Sequence, residues 1–343
     1  MNRSCPDITR REFLAGSAAV AGLSVSANLA ALAQTPDAAV DQKALIAITL
    51  DFEMSRNFPT WEDTHWDYEK GNLDEATKRY ALEACRRVKR RGAVIHGFVV
   101  GRVFEQENVD WLREIVDMGH PLGNHTYDHV NVTATRPEDI QFRFHRAPWL
   151  MRDRAPREVI EDNIRLTTLA MKERLGIRPN GFRTPGGFNE GLNHRPDIQK
   201  MLLGLGFTWV SSRYPAHEIG EPGKPVGEPV FQSILAAQKT AQPYRYPSGL
   251  IEVPMNPISD ITAFRGGRWK LDDFIEATRR SVAWAIEHGT VFDFLAHPSA
   301  LGIRDPKFRT IDMICDMVDQ ASDRAQIVDL STIARRAAAH PRS

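Results

Sequence analysis

Two histidines four residues apart, His125 and His129, are the first residues of this sequence whose spacing suggests chemistry. Imidazole is the commonest protein ligand for a borderline divalent cation. If residues 125–129 coil into one helical turn, both rings face the same side and can reach one ion. A His-x-x-x-His pair alone is at least as often a surface coincidence, so a third ligand decides the case.

A pair of carboxylates offers that third ligand. Asp51 and Glu53 follow the apolar run 44–50, and side chains two residues apart in an extended chain point to the same side. Burying two free carboxylates side by side is costly unless a cation neutralises them. One carboxylate and two histidines leave positions on a metal open for water and substrate, as a hydrolytic site requires.

Around these residues, four segments of the chain resemble motifs of the polysaccharide deacetylase (NodB-homology) family, in the family's order. They lie at residues 51–53, 124–129, 182–186 and 295–298. The resemblance implies an irregular (β/α) barrel and hydrolysis of a non-peptide C–N bond. It also implies one divalent metal, usually zinc in that family, with Glu53, His125 and His129 as its ligands.

The same resemblance assigns catalytic roles. Asp51 would be the general base for a metal-activated water, and Arg183 would pair with Asp51 and hold it ionised. His297 would be the general acid that protonates the leaving amine. A histidine acid needs a partner that keeps it charged, and the sequence leaves Asp260 and Asp293 both open for that role.

Two departures from the family's commonest pattern concern the substrate end of the site. One residue separates the two acids of the first motif, and the second acid is glutamate, a form that some subgroups share. The division of roles between Asp51 and Glu53 therefore stays open. Gly186 and Gly187 stand where the family has an aromatic residue after the proline, and a backbone N–H there could stabilise an oxyanion.

The resemblance favours removal of acetyl from an N-acetylated glycan. An allantoinase-like hydrolysis of a small cyclic amide or ureide is the first alternative, because the altered motifs allow it, and an acetyl ester is another. A glycan-binding protein without catalysis would have lost an acid, a base or a ligand. All six such residues are present, namely Asp51, Glu53, His125, His129, Arg183 and His297.

Apolar runs alternate with helical patterns along the chain, which predicts a parallel sheet with helices outside it. About seven or eight strands favour a closed or nearly closed (β/α) barrel, in which catalytic groups lie at the carboxyl ends of strands. The predicted strands are 44–50, 93–100, 120–124, 181–184, 207–212, 250–255, 290–296 and 326–330. The predicted helices are 72–91, 108–118, 156–175, 196–205, 271–288, 308–321 and 331–339. Asn72, with Glu75 three residues on, is the predicted N-cap of the first helix.

Two connections are long for a compact domain, and such connections often act as lids. Residues 54–71 carry Trp61, Trp66 and Tyr68, which could stack on sugar rings or pack on the barrel. Residues 214–249 are rich in proline and glycine. We expect these two segments to select the substrate.

The N-terminus has the regions of a twin-arginine export signal. The pair Arg10 and Arg11 precedes a weakly apolar run that closes with a small-x-small pattern ending at Ala33. We expect a cleaved signal over 1–33, a single catalytic domain over 34–343, the twin-arginine machinery as a partner and a periplasmic location. No second apolar run follows, so no stable membrane insertion is expected after cleavage.

Charge and cysteine content argue against two further classes of protein. The chain has 44 basic and 44 acidic residues, and no basic stripe points to nucleic acid. Cys85 and Cys315 each lie within an apolar helical pattern. We expect them to be buried, unreactive thiols and not part of a disulfide framework.

Overall fold

The computed structural model describes residues 43–55 and 69–340. The predicted signal over 1–33 lies outside the described residues. Most of the connection 54–71, with its two tryptophans and Tyr68, also lies outside them. Among the described residues, no helix combines the length and the apolar character that crossing a membrane requires.

A sheet of nine strands, counted over the described residues, forms the centre of the fold. The strands are β1 Ala44–Phe52, β2 Ile95–Val99, β3 Leu122–Asn124, β4 Gly181–Phe188, β5 Trp209–Arg213, β6 Tyr244–Arg245, β7 Ile251–Glu252, β8 Val291–Ala296 and β9 Ala325–Ile327. All nine residues of β1 are buried, as expected for a parallel strand that is covered on both faces.

The sheet runs in the order β6-β7-β5-β4-β3-β2-β1-β8, and β9 pairs with the first residues of β1. All strand pairs are parallel except that of β6, which the sequence did not predict, with β7. The end strands β6 and β8 do not pair within the described residues. Instead, the N–H of Asn256 donates to the carbonyl of Asp293 in β8 at 2.9 Å. The predicted irregular (β/α) barrel is therefore confirmed.

Helices connect these strands. They are α1 Glu75–Arg90, α2 Asp110–Asp117, α3 Pro137–Ile140, α4 Phe142–Arg146, α5 Pro156–Leu175, α6 Pro196–Gly204, α7 Glu228–Thr240, α8 Leu271–Glu287, α9 Pro298–Arg304, α10 Arg309–Gln320 and α11 Leu330–Ala339. The sequence pattern predicts seven of them and misses α7 and the short helices α3, α4 and α9.

The start of α1 differs from the prediction. Its N-cap is Asp74, whose Oδ1 accepts a hydrogen bond from the N–H of Thr77 at 2.9 Å. Asn72 lies two residues before this cap. Its backbone carbonyl accepts from the N–H of Ser55 at 3.0 Å. The turn before α1 is thereby tied to the chain that leaves β1.

The segment 214–249 is also more ordered than its proline and glycine content suggests. It contains α7, which buries Phe231 and Ile234 in the main core. Pro229 lies in the first turn of that helix, where the missing N–H of proline has no cost. The segment is therefore not one continuous loop, because α7 lies within it.

The main core lies between β1, β2, β8 and the helices outside them. Phe52 of β1 packs edge to face on Trp111 of α2, with ring centroids 5.4 Å apart. Such an aromatic pair adds about 0.5–1.5 kcal/mol beyond the burial of its area. Cys85 and Cys315 are buried and unpaired in this core, and burial raises the pKa of both thiols.

Candidate metal centre and active site

The carboxyl ends of β1, β3, β4 and β8 bring the chemically interesting residues to one edge of the sheet. Asp51 is the next-to-last residue of β1 and Glu53 follows the strand directly. Both carboxylates are buried. Their spacing of two residues points them to the same side, as the alternation of an extended chain requires.

The two histidines lie on a loop after β3 and not on a helical turn. Thr126 and His129 both have φ of 59°, in the left-handed region. Asn124 at the end of β3 accepts from the N–H of Thr126 at 2.9 Å, and Thr126 Oγ1 accepts from the N–H of Val130 at 3.0 Å. These side-chain bonds hold the loop so that the rings of His125 and His129 lie 5.0 Å apart. The predicted one-turn coil is wrong, although both rings still face one point.

Glu53, His125 and His129 form a compact set of possible metal ligands. One ligand atom from each lies within 4.8 Å of the others. Glu53 Oε2 is 2.7 Å from His129 Nε2 and 3.6 Å from His125 Nε2.

The donor atoms of these groups suit a cation. Nδ1 of His125 lies 2.9 Å from the carbonyl oxygen of Arg183, so Nε2 is the ring nitrogen that faces Glu53. Two imidazole nitrogens and one carboxylate oxygen that converge in this way suit a borderline divalent ion such as zinc.

A lysine that the sequence reasoning did not single out completes this cluster. Nζ of Lys70 lies 2.8 Å from Oε1 of Glu53 and 3.5 Å from Nε2 of His129. Burial raises the pKa of Glu53, but the ammonium of Lys70 and the contacts with His129 and His125 together hold that pKa well below its ordinary value. Burial and the same ammonium lower the pKa of His129 to about 4, so its imidazole is neutral.

Asp51 lies against a buried arginine, as the sequence predicts. Nη1 of Arg183 is 3.1 Å from Oδ1 of Asp51, and Nη2 is 2.6 Å from Oδ2 of Asp293. Arg183 is 0% exposed, and its guanidinium lies 4.3 Å from the centroid of the Phe98 ring. Nη1 also donates to Oγ1 of Thr49 at 2.7 Å. One arginine therefore serves two carboxylates.

Asp293 is consequently a partner of the arginine and not of His297. Burial raises the pKa of Asp293 to about 6, although the charge of Arg183 opposes the rise. Its Oδ1 accepts from Oγ1 of Thr49 at 2.9 Å.

The partner of His297 is Asp260. Oδ1 of Asp260 lies 2.8 Å from Nδ1 of His297, and Oδ2 accepts from the backbone N–H of the same residue at 2.7 Å. Burial would lower the pKa of His297, but Asp260 outweighs it and the pKa rises to about 9. Nε2 of His297 then points to the carboxylates, 3.5 Å from Glu53 Oε1 and 3.9 Å from Asp51 Oδ2.

A cavity of about 280 Å³ is lined by Asp51, Glu53, Lys70, His125, His129 and His297. Tyr214, which the sequence reasoning also missed, forms part of its wall, and its hydroxyl lies 2.9 Å from Oγ1 of Thr262. A Cβ on Gly187 would lie 2.3 Å from the Cβ of Tyr214, so glycine is required for this close approach. Gly186, with φ of 73°, also lies in the wall.

Two other buried polar residues, His96 and Asp128, make contacts outside the proposed ligand set. His96 is buried and accepts from the N–H of Leu330 at 3.3 Å, and burial lowers its pKa to about 3. The carboxylate of Asp128 pairs with Arg143, and its N–H donates to Asn163 at 2.8 Å. Asp128 thus fixes the histidine loop to its neighbours.

One family model matches part of the chain. Residues 71–201 match the family model described as polysaccharide deacetylase. This stretch contains both histidines and Arg183, whereas the two carboxylates after β1 and His297 lie outside it. No curated protein matches the sequence.

Solved structures share the fold. Two proteins described as polysaccharide deacetylases, from Mycobacterium smegmatis and Pseudomonas aeruginosa PAO1, align with TM-scores of 0.57 and 0.60 at 18% and 15% identity. Each alignment covers 88% of this chain and 94% of the other. Puue allantoinase aligns with a TM-score of 0.58 at 16% identity, over 94% of this chain and 100% of that one.

Proposed function

We propose that this chain, a hydrolase acting on amide bonds with a polysaccharide deacetylase domain over residues 71–201, uses a divalent metal to cleave a non-peptide C–N bond. The observation that carries the proposal is the convergence of Glu53, His125 and His129 beside the pairs of Asp51 with Arg183 and Asp260 with His297.

Glu53 Oε2 and the Nε2 atoms of His125 and His129 would hold the metal, which we take to be zinc. When bound, such a cation polarises the acyl carbonyl of a substrate and lowers the pKa of a water molecule.

Asp51 is the proposed general base. Nη1 of Arg183 lies 3.1 Å from its Oδ1, and Oδ2 remains to accept the proton of the attacking water. Asp293 takes the other side of the guanidinium, which fixes the direction in which Arg183 points.

His297 is the proposed general acid. Asp260 binds its Nδ1, so the proton that can be transferred sits on Nε2, which faces the cavity. That proton would pass to the departing nitrogen. Asp260 acts through His297 and is therefore a positioning residue.

The N–H of Gly186 is the proposed donor to the oxyanion. Thr184 Oγ1 donates to the carbonyl of Gly186 at 2.8 Å, which helps fix the orientation of this part of the wall. A prepositioned backbone N–H is a common way to stabilise the charge that develops on an acyl oxygen.

An N-acetylated glycan is the substrate class we favour, and the match to the polysaccharide deacetylase model supports it. The cavity also has apolar side chains, among them Met255, Ile261 and Leu295, that suit an acetyl methyl group. A small cyclic amide or ureide is the second candidate. It is favoured by the alignment with an allantoinase over that chain's whole length.

A substrate panel tests the proposal. Purified protein, before and after chelation and again with zinc restored, would be assayed on chitooligosaccharides, peptidoglycan fragments, acetylated xylan and cyclic ureides. We expect acetate release from an N-acetylated substrate that needs the metal and disappears in Asp51→Asn. Ring opening of a ureide alone would favour the second candidate, acetate from xylan alone would favour an ester, and no turnover in the zinc-loaded protein would refute the proposal.

A further inference from the structure

Lys70 places its ammonium group inside the proposed metal centre. Its side chain is 3% exposed, and its ammonium contacts two of the three groups that would bind the metal, Glu53 and His129. A buried ammonium next to a cation site is unfavourable by simple electrostatics, because two positive charges then share a region of low dielectric.

The backbone around Lys70 is firmly held in this position. The N–H of Gly71 donates to the carbonyl of Glu53 at 2.6 Å, and Nε2 of Gln106 donates to the carbonyl of Gly71 at 3.3 Å. Gly71 has φ of 88°, and a Cβ there would lie 2.3 Å from the Cβ of Arg102. The turn that carries Lys70 is therefore built for a close approach to the site.

We propose that Lys70 is an internal cation that opposes the binding of a metal beside it and so lowers the metal affinity of the centre. Nε2 of His129, the atom that would bind the metal, lies 3.5 Å from the ammonium of Lys70. A bound cation and the ammonium would therefore lie close together and repel each other. Metal binding should weaken the contact between Lys70 and His129, while the contact with Oε1 of Glu53 can remain.

The charges nearby explain why the protein keeps this lysine. Without a metal, Glu53 would be a buried carboxylate whose described neighbours include the imidazoles of His129 at 2.7 Å and His297 at 3.5 Å. An unpaired buried charge is strongly destabilising, and Lys70 neutralises it. The lysine thus stabilises the metal-free protein at the expense of metal affinity, an inference that rests on the metal site proposed above.

Zinc affinity, measured by competition with a chromophoric chelator, tests this role. We compare the wild type with Lys70→Met, Lys70→Gln and Lys70→Arg. Loss of the charge should tighten zinc binding at least about tenfold in the Met and Gln variants, because a neighbouring positive charge is removed. Lys70→Arg keeps the charge and should stay near the wild type. Gln can still donate to Oε1 of Glu53, so that variant carries the test if Lys70→Met does not fold.

The matched control is Lys78→Met, which removes a lysine paired with Glu75 on α1. It should leave zinc affinity unchanged. Thermal unfolding gives a second measurement: the metal-free Lys70→Met protein should melt below the wild type, and zinc should raise its Tm by more.

The outcomes separate this inference from the proposed function. Zinc binding in the wild type with equal or weaker affinity in Lys70→Met and Lys70→Gln overturns the competing role but leaves the metal site intact. An equal gain in Lys70→Arg also overturns it, since the charge would then be irrelevant. If neither the wild type nor any variant binds a divalent metal, both this inference and the proposed function fail.

Discussion

Each positively charged side chain of this site lies against a carboxylate. Arg183 lies between Asp51 and Asp293, and His297 is bound by Asp260. Because all of these groups are buried, removal of one partner leaves the other charge uncompensated. Conservative substitutions that keep a hydrogen bond are therefore the informative ones.

His125→Asn tests the metal ligand set. Asparagine can still donate to the carbonyl of Arg183, as Nδ1 of the histidine does, but it offers nothing in place of Nε2. We expect metal content, measured by elemental analysis of purified protein, to fall from about one equivalent to a small fraction. His145→Asn, which changes an exposed histidine of α4, is the control. Undiminished zinc in His125→Asn would remove this residue from the ligand set.

Asp260→Asn separates the acid from the metal. The amide cannot balance the charge of a protonated His297, so proton transfer to the leaving nitrogen should suffer while the ligands are untouched. General acid catalysis typically contributes about 10²–10⁴-fold, and we expect a loss of kcat in the lower part of that range. Zinc content should stay at the wild-type level, as it should in Asp272→Asn on the surface of α8. A normal kcat in Asp260→Asn would argue against a catalytic His297.

Elements of this fold are predictable where local signals mark both ends. The helix α5 begins at Pro156 and ends before Gly176, whose φ is 71°, and its predicted bounds agree with the structure. The helix α7 escaped the prediction, because Pro229 and the glycines before it indicate a loop when they are considered locally. Its helical state depends on burying Phe231 against the core, which is a long-range contact.

Some residues of the candidate site could likewise be predicted from the sequence, and others could not. Asp51, His125 and His297 were predicted from the motifs that resemble the deacetylase family. Their places after predicted strands agree with this, because parallel strands bring their carboxyl ends together. The left-handed φ of His129 could not be predicted, because this conformation is uncommon for residues other than glycine and no sequence pattern indicates it here. Lys70 could not be found either, because its contact with Glu53 depends on how the turn before α1 folds back on β1.

Another buried histidine, His120, links β2 to α1 and gives a prediction for stability. Its Nδ1 accepts from the N–H of Ile95 in β2 at 2.9 Å, and its Nε2 lies 3.1 Å from the carbonyl of Cys85 in α1. Burial lowers the pKa of His120 to about 4, below the ordinary value near 6.5. The fold thus favours the neutral ring, and this contribution is complete above pH 6.5 and is lost as the pH falls towards 4.

His120→Asn should therefore flatten the acid side of the stability profile. Asparagine can accept from Ile95 but has no group that titrates in this range. We expect the variant to be less stable than the wild type at pH 7, and the difference in unfolding free energy, measured with urea, to shrink between pH 6.5 and 4.5. His145→Asn should keep the wild-type slope. Parallel profiles for His120→Asn and the wild type would contradict the proposed role of the neutral ring.

Considered as a whole molecule, the chain combines a barrel that presents its site at one edge with an N-terminal segment that lies outside the described residues. We propose that this segment, residues 1–33, directs export by the twin-arginine route to the periplasm. That route carries folded proteins, so the barrel and its proposed metal would be assembled before export. Before the metal binds, the Lys70 contact with Glu53 would help to keep the metal-free protein folded in the cytoplasm.

Replacement of Arg10 and Arg11 together by lysine tests the export proposal. The charge of the signal is preserved, but the planar guanidinium groups are lost, and lysine does not reproduce their hydrogen-bonding geometry. We expect the precursor to accumulate in the cytoplasm, as judged by fractionation and immunoblotting, while Arg3→Lys is exported normally. The exported wild type should begin at Gln34 by N-terminal sequencing if cleavage follows Ala33. Unchanged periplasmic levels of the double variant would show that the pair is not an export motif. The proposal that the metal is bound before export would then lose its support.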